Sequence, residues 1–217
     1  MALILCIETA TDVCSVALNK EGNTIGLQTF HLPRAHNQVL STSITHVMQT
    51  TNHELSQLNA IAVSTGPGSY TGLRIGLAMG KGLCYALDLP LIAINTLVSL
   101  AESVQTYHPQ ACWLCPTLDA RGAGIYWSIV DPHVRSASPA RRGWITKPQL
   151  DVFCPEGALY VFGSGVEKSA SALMERPDTH FLQGVVPTAA SMGRIAQKKF
   201  RQEAFENVID CDPMYLQ

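Results

Sequence analysis

The sequence predicts an α/β protein built from two related lobes. Three observations carry this: short β-branched runs separated by turn residues at the start of the chain, strand and helix patterns that alternate after them, and the return of the same order from about residue 96. The 217 residues are 47% hydrophobic and 15% charged, enough to bury a core in one domain or in two small lobes.

The elements follow in order. LILCIET (3–9), VCSVALN (13–19) and TIGLQTFH (24–31) are separated by TD and EGN, the punctuation of consecutive hairpins, so the chain starts with three antiparallel strands. A helical pattern runs over about 36–53, followed by NAIAVST as a buried strand, a helix from Thr71 to about Leu87, and PLIAIN as a second buried strand. From about 96 come a helix, the strand ACWLCPTLDA with GIYWSIV as its hairpin partner, a loop rich in Arg, Pro and Ser, the strand LYVFG and a helix after Gly163-Ser164-Gly165. A last helix over about 188–206 precedes the tail CDPMYLQ. These patterns place an N-terminal lobe at 1–100, with the helix at 188–206 a candidate to pack back on it, and a smaller C-terminal lobe at 101–187.

Charge and cysteine usage narrow the function classes. A formal net charge of -2 gives no general electrostatic reason to bind nucleic acid. Arg135, Arg141, Arg142 and Lys147, and separately Lys198, Lys199 and Arg201, form local basic clusters of the kind that ordinarily cover a solvated surface. MALILCIETA is too short and lacks the basic start of an export signal, and no run approaches the ~20 apolar residues of a membrane helix, so a soluble, cytoplasmic protein is expected. Seven cysteines in such a chain fit reduced thiols. Cys112 and Cys115 have redox spacing, but in a strand residues three apart face opposite sides.

The segment STGPGSYTGLRIG (64–76) links a buried strand to a helix and raises the question of phosphate binding. A phosphate-cradling P-loop needs G-x-x-x-x-G-K-[ST], whereas Gly80-Lys81 is preceded five residues earlier by Ile75 and followed by Gly82. A dinucleotide turn needs G-x-G-x-x-G, and Gly66 and Gly68 meet Thr71 at the third position. A structural turn with Thr71 as N-cap is the expectation, with anion binding at the helix N-terminus as the alternative.

The two helices flanking this segment carry the strongest pattern. Gly72, Gly76 and Gly80 fall on one stripe with Leu83 and Leu87, spaced for close approach of another backbone. Each interior glycine costs about 1 kcal/mol relative to alanine, so tight packing must offset the stripe, either on the protein's own sheet or on a partner. Leu73, Leu77 and Cys84 on one side and Ile75, Met79 and Ala86 on the other are also apolar, leaving Arg74, Lys81 and Tyr85 as the polar strip. In the preceding helix Val39, Leu40, Ile44, Val47 and Met48 form an apolar face, and Gln38, Ser41, Thr42, Thr45, His46, Gln49 and Asn52 form a face without a single charge. Depletion of charge is a mark of interface cores.

ILCIETATDVCSVAL, AIAVSTGPGSYTGLRIGLAMGKGL, PLIAINTL, LDARGAGIYW and PMYL together resemble the bacterial TsaB (YeaZ) family over essentially the whole chain. The resemblance implies a two-lobed actin/sugar-kinase-like (ASKHA) fold, each lobe on a βββαβαβα pattern. It implies a non-catalytic scaffold or activator subunit that pairs through its first two helices with a paralogous catalytic subunit, TsaD. TsaD transfers threonylcarbamoyl to the adenosine beside the anticodon of tRNA, and the ATPase TsaE completes the assembly. Residues expected at the partner interface are Leu40, Ile44, Met48, Leu73, Arg74, Leu77, Lys81 and Cys84, with a homodimer when the chain is alone and tRNA met only through the complex. The chain departs from the family pattern at Glu8, where aspartate is usual.

Enzymatic alternatives are a degenerate actin/sugar-kinase-like ATPase or an M22-type peptidase homologue. The histidines at 31, 36, 46, 53, 108, 133 and 180 contain no H-x-x-x-H pair, so no metal site is expected. Glu8-Thr9-Ala10-Thr11-Asp12 has no glycine, and Gly163-Ser164-Gly165 is only a fragment of an adenosine loop. Glu8, Thr11, Gly163 and Gly165 are therefore degenerate nucleotide-site candidates, no cofactor is expected, and Glu8 and Asp119 fit equally well as turn-capping carboxylates.

Overall fold

The computed structural model describes residues 1–105, 112–122, 124–131, 137–174 and 176–216. Arg135, His108 and His133 lie outside the described residues. Two compact units emerge, the first from Met1–Ser99 together with Pro187–Tyr215, and the second chiefly from Leu100–Val186.

In the first unit β1 (Leu3–Glu8), β2 (Val13–Lys20) and β3 (Asn23–His31) form the antiparallel meander. They are followed by α1 (His36–Thr50), a 3-10 turn at Leu55–Gln57, β4 (Ala60–Gly66), α2 (Tyr70–Leu87) and β5 (Leu91–Asn95), and α3 (Thr96–Gln105) begins in this unit and ends in the second. β4 pairs parallel to β1, and β5 parallel to β4, giving the sheet order β3-β2-β1-β4-β5. The second unit repeats this plan. β6 (Trp113–Asp119), β7 (Ile125–Trp127) and β8 (Arg141–Gly143) make the meander, and β9 (Leu159–Phe162) and β10 (Thr179–Leu182) add in parallel to give β10-β9-β6-β7-β8. α4 (Lys147–Phe153) and α5 (Val166–Leu173) are its helices, and α6 (Ala189–Arg201) belongs to the first unit. The Arg/Pro/Ser-rich segment expected as loop thus holds β8 and α4, and β10 is an additional strand. All three are too short to leave a clear periodic signal.

Period-two alternation gives the first sheet two separate cores. Leu3, Leu5 and Ile7 point to one face with Leu18, Ile61 and Val63, where they meet Leu40, Ile44, Val47 and Met48 of α1 and Leu77 and Cys84 of α2. Ala2, Ile4 and Cys6 point to the other face with Ala62, Ile92 and Ile94, where they meet Ala189, Met192 and Ala196 of α6. The helix reaches this face through small residues on both sides, since a Cβ on Gly193 would meet the Asn19 carboxamide. All seven cysteines are free and buried, and Cys115 is held well above its ordinary thiol range by burial, which leaves Cys112-Trp113-Leu114-Cys115 as strand packing.

The glycine stripe of α2 lies on the protein's own sheet. A Cβ on Gly72 would strike the Thr9 carbonyl oxygen, one on Gly76 the Thr9 hydroxyl, and one on Gly80 the Val63 side chain. Gly82 lies about 200° around the helix from Gly80, and a Cβ there would meet nothing within 4 Å. Two outcomes follow for urea unfolding. Gly76→Val, overpacked against Thr9 of the β1–β2 turn, lowers stability by about 1–3 kcal/mol despite its better helix propensity, while Gly82→Ala raises it by up to about 1 kcal/mol. Ile44→Glu and Leu77→Glu, each placing a carboxylate in the α1–α2 core, abolish the cooperative transition.

Candidate partner surface on helices α1 and α2

The buried faces of α1 and α2 correct part of the expected interface. Leu40, Ile44, Met48, Leu73, Leu77 and Cys84 are each at most 5% exposed, because the sheet beneath them claims the apolar faces of both helices. Such side chains set the helix positions and cannot themselves meet a partner, although Leu40 forms part of the floor of a surface groove. Arg74 is exposed and Lys81 half-buried.

What α1 and α2 leave outside is a different set. α1 exposes Asn37, Gln38, Ser41, Thr42, Thr45, His46 and Gln49, all uncharged types apart from the titratable imidazole. Thr42, Thr45 and Thr50 turn their hydroxyls back to the carbonyls of Val39, Ser41 and His46, so they compete little for water. α2 exposes Ala78, Gly82, Tyr85 and Ala86, with Ile75, Met79 and Leu83 half-buried and Tyr85 89% exposed. Between the helices runs a groove of ≈ 500 Å³ lined by Asn37, Leu40, Ile75, Met79, Gly82 and Leu83. Its walls are almost wholly apolar, and no charge lies among these lining residues. Gly82 and Ala78 were missed by sequence reasoning. The signal was available, since Gly82 falls off the i, i+4 stripe and therefore had to face elsewhere.

The charged strip of α2 is occupied from within the first unit by the C-terminal tail. The Met214 N–H donates to the Thr65 carbonyl (2.7 Å), which ties the tail beside β4. Arg74 lies 4.2 Å over the Tyr70 ring and donates to the Tyr215 hydroxyl (3.2 Å), while Tyr70 and Tyr215 have ring centroids 5.0 Å apart. Lys81 Nζ donates to the Ile209 carbonyl (3.0 Å). The tail therefore uses the two cations of α2, and the apolar groove is left beside it.

The loop 66–69 is also accounted for inside the unit. Gly68 sits against Ala10, and the Ser69 N–H donates to the Ala10 carbonyl (2.6 Å), pinning the loop onto the β1–β2 turn. Ser69, not Thr71, is the N-cap, its hydroxyl accepting from the Gly72 N–H (3.3 Å). Glu8 Oε1 accepts the Ala10 N–H (2.7 Å) and Thr11 Oγ1 accepts the Val13 N–H (3.2 Å), so both act as caps of this turn. Burial pushes the Glu8 carboxyl up to about 7, with the Ala10 N–H pulling the other way. In the second unit Gly163 lies against the Thr117 carbonyl, and a Cβ on Gly165 would stand 3.0 Å from Ile125 and Thr117, so these glycines serve close packing on β6. Asp119 accepts from the Arg121 N–H (2.8 Å) and from Lys168 (2.6 Å). Among the described residues no group of three His, Cys, Asp or Glu side chains could hold a metal ion, and no helix is long and apolar enough to cross a membrane.

Comparison with known proteins follows the same lines. A family model for TsaD, tRNA N6-adenosine threonylcarbamoyltransferase, matches residues 30–136. The chain is 36% identical over 125 residues to the tRNA threonylcarbamoyladenosine biosynthesis protein TsaB of Escherichia coli K12, covering 58% of this chain and 53% of that protein. It is 28% identical over 220 residues to the protein of the same name from Haemophilus influenzae, covering 98% of this chain and 92% of that one. The chain is similar to proteins named TsaB, one of them over nearly its whole length. Its alignments span about half the length of several curated relatives and nearly all of the Haemophilus one. The fold agrees: YeaZ from Pseudomonas aeruginosa superposes with a TM-score of 0.85 at 24% identity over 100% of both chains. A putative N-acetylmannosamine kinase from Listeria monocytogenes superposes at 0.55 and 11% identity over 93% of this chain and 99% of that one. The architecture is the two-lobed actin/sugar-kinase-like fold.

The buried Glu8 gives this chain a measurable pH dependence. Because its folded-state pKa lies above the ordinary glutamate value of ~4.3, the folded protein holds a proton that the unfolded chain releases. Its contribution is fully present below pH ~4.3 and is lost as pH rises through about 7, by about 3 kcal/mol in all. Denaturant titrations of Glu8→Gln, in which the titration is absent, are expected to give a stability gain over the parent chain that grows between pH 5 and 8 and then levels.

Proposed function

We propose that this chain is a non-catalytic subunit of a tRNA threonylcarbamoyladenosine-forming complex, and that the outer faces of α1 and α2 dock a TsaD-type catalytic subunit. One observation carries the docking surface: two adjacent helices whose exposed sides hold no Lys, Arg, Asp or Glu outside the tail-bound strip, flanking an apolar groove. A solvated helix is ordinarily charged over its outer half, whereas interface cores are depleted of charge. The match of a TsaD family model to residues 30–136, which include both helices, supports a partner with related helices that presents the same kind of face. The same surface accounts for self-association of the chain when alone. TsaE joins through the assembled pair, and the work is cytoplasmic, where tRNA is modified.

A non-catalytic role is supported by the fate of the nucleotide-site candidates. Glu8 is fully buried under the turn it caps, and loop 66–69 is packed against that turn instead of standing open to a phosphate. The competing peptidase reading needs a metal cluster or a paired nucleophile and base, and no group on these elements supplies either. The purified chain is expected to turn over neither ATP nor peptide.

The docking test uses exposed positions. Gly82→Arg and Thr45→Arg place a long cation on each helix without disturbing the core, so neither variant is destabilised by more than about 0.5 kcal/mol relative to the parent. Size-exclusion chromatography with the TsaD paralog is expected to show loss of the stoichiometric complex, and reconstituted threonylcarbamoyl transfer to tRNA is expected to fall with it. Variants that remain folded, bound and active would remove α1 and α2 from the interface.

A further inference from the structure

A second groove, of ≈ 400 Å³, runs along α2 between its charged strip and the C-terminal tail. Arg74, Ala78, Lys81, Asp212, Pro213 and Tyr215 line it. Ala78 also lines the apolar groove between α1 and α2, so the two hollows share a wall and form one continuous surface. The tail that makes the outer wall is a folded part of the first unit. Val208 and Cys211 pack into the core beneath α1 and α2, and a Cβ on Gly66 would stand 2.9 Å from the Met214 carbonyl oxygen, so the tail is seated against bare backbone.

The charges in this second groove do not balance, because two cations, Arg74 and Lys81, meet one carboxylate, Asp212. Arg74 is accommodated by the Tyr70 ring and the Tyr215 hydroxyl, with Asp212 within electrostatic reach. Lys81 has no such support. Its half-buried side chain donates to the Ile209 carbonyl (3.0 Å), which occupies one of three N–H groups and neutralises nothing, and it forms no ion pair among the described residues. Large apolar side chains stand open beside it. Tyr85, one turn further along α2, is 89% exposed, and Ile209, whose carbonyl receives the lysine, is 85% exposed.

Docking over this surface takes the ammonium out of water, and a desolvated charge without a counter-charge opposes association. The face that covers it has to bring a carboxylate. A second copy of this chain, docking helix on helix, supplies none from those helices, because α1 and α2 contain neither Asp nor Glu.

We propose that Lys81 selects the partner: a TsaD-type subunit seated on the groove between α1 and α2 extends over Tyr85 and the tail and places an acidic side chain against Lys81 in the second groove. This rests on the reading of α1 and α2 as the docking surface. It adds that the same face discriminates between a catalytic subunit and a second copy of the chain, through a charge that the first pairs and the second leaves buried. The apolar groove suits either occupant and supplies affinity, while the lysine supplies the choice.

The test measures two equilibria for the parent, Lys81→Gln and Lys81→Arg: binding to the TsaD paralog by isothermal titration calorimetry, and self-association by sedimentation equilibrium. Glutamine keeps a donor for the Ile209 carbonyl and loses the charge, so the tail clasp is retained, whereas arginine keeps the charge. Lys81→Gln is expected to weaken the complex with the paralog roughly tenfold at about 50 mM salt, and to remove most of the affinity loss that the parent shows at about 500 mM. Its self-association is expected to stay the same or to strengthen. Lys81→Arg is expected to remain within about threefold of the parent in both equilibria. Unchanged paralog affinity and salt dependence in Lys81→Gln would overturn the proposal. An equal weakening of self-association would do the same, as would a loss shared by Lys81→Arg, since either makes the lysine a structural support of the tail. Where the parent alone is monomeric, the titrations with the paralog decide. Gly82→Arg is titrated alongside: if the parent forms no complex, or Gly82→Arg binds as the parent does, the docking reading falls and this proposal with it. Loss with Gly82→Arg but no change with Lys81→Gln leaves the docking reading standing and removes only the role of the lysine.

Discussion

The close seating of α2 on the β1–β2 turn is the constraint on which the rest of the first unit depends. Gly68 in the preceding loop and Gly72, Gly76 and Gly80 over about two turns of the helix lack the Cβ atoms that would strike Ala10, Thr9 and Val63, so the helix backbone lies directly on these groups. Each interior glycine costs about 1 kcal/mol in helix propensity, and dispersion contacts at this distance offset it. With the inner stripe fixed in this way, Leu73, Leu77 and Cys84 are driven into the core, and Ala78, Gly82 and Tyr85 are driven out. The exposed face proposed for docking is therefore set by what happens on the buried one.

The same seating explains why the first hairpin does not resemble a working phosphate site. Here Glu8 is buried beneath the turn, its carboxyl occupied by the Ala10 N–H, and loop 66–69 fills the adjacent space through the Ser69–Ala10 hydrogen bond. Burial also raises the carboxyl's affinity for a proton, which suits a structural cap and not a cation ligand.

A sheet covered on both faces gives the unit two outer layers that are chemically independent. Alternation sends Leu3, Leu5 and Ile7 toward α1 and α2, and Ile4 and Cys6 toward α6. The layer over the first set is uncharged on its outer side, and the layer over the second carries Arg194, Lys198 and Arg201.

Much of this was legible in the sequence. Hairpin punctuation by TD and EGN, the β-branched runs and the two long periodic helices determined the βββαβα order of the first unit, because local propensity and burial agree there. The glycine stripe announced a close approach, and the charge-free side of α1 announced an unusual surface. The sequence did not decide which side of each helix the sheet would take. Leu40, Ile44, Met48 and Leu77 satisfy an internal core and an external interface equally well in a periodicity plot, since both demand apolar residues, and only the sheet's position assigned them to the core. The cap at Ser69 and the tail clasp of Arg74 by Tyr215, 141 residues away in the chain, were likewise settled by tertiary structure. Each depends on contacts between segments whose separation along the chain leaves no local pattern to read.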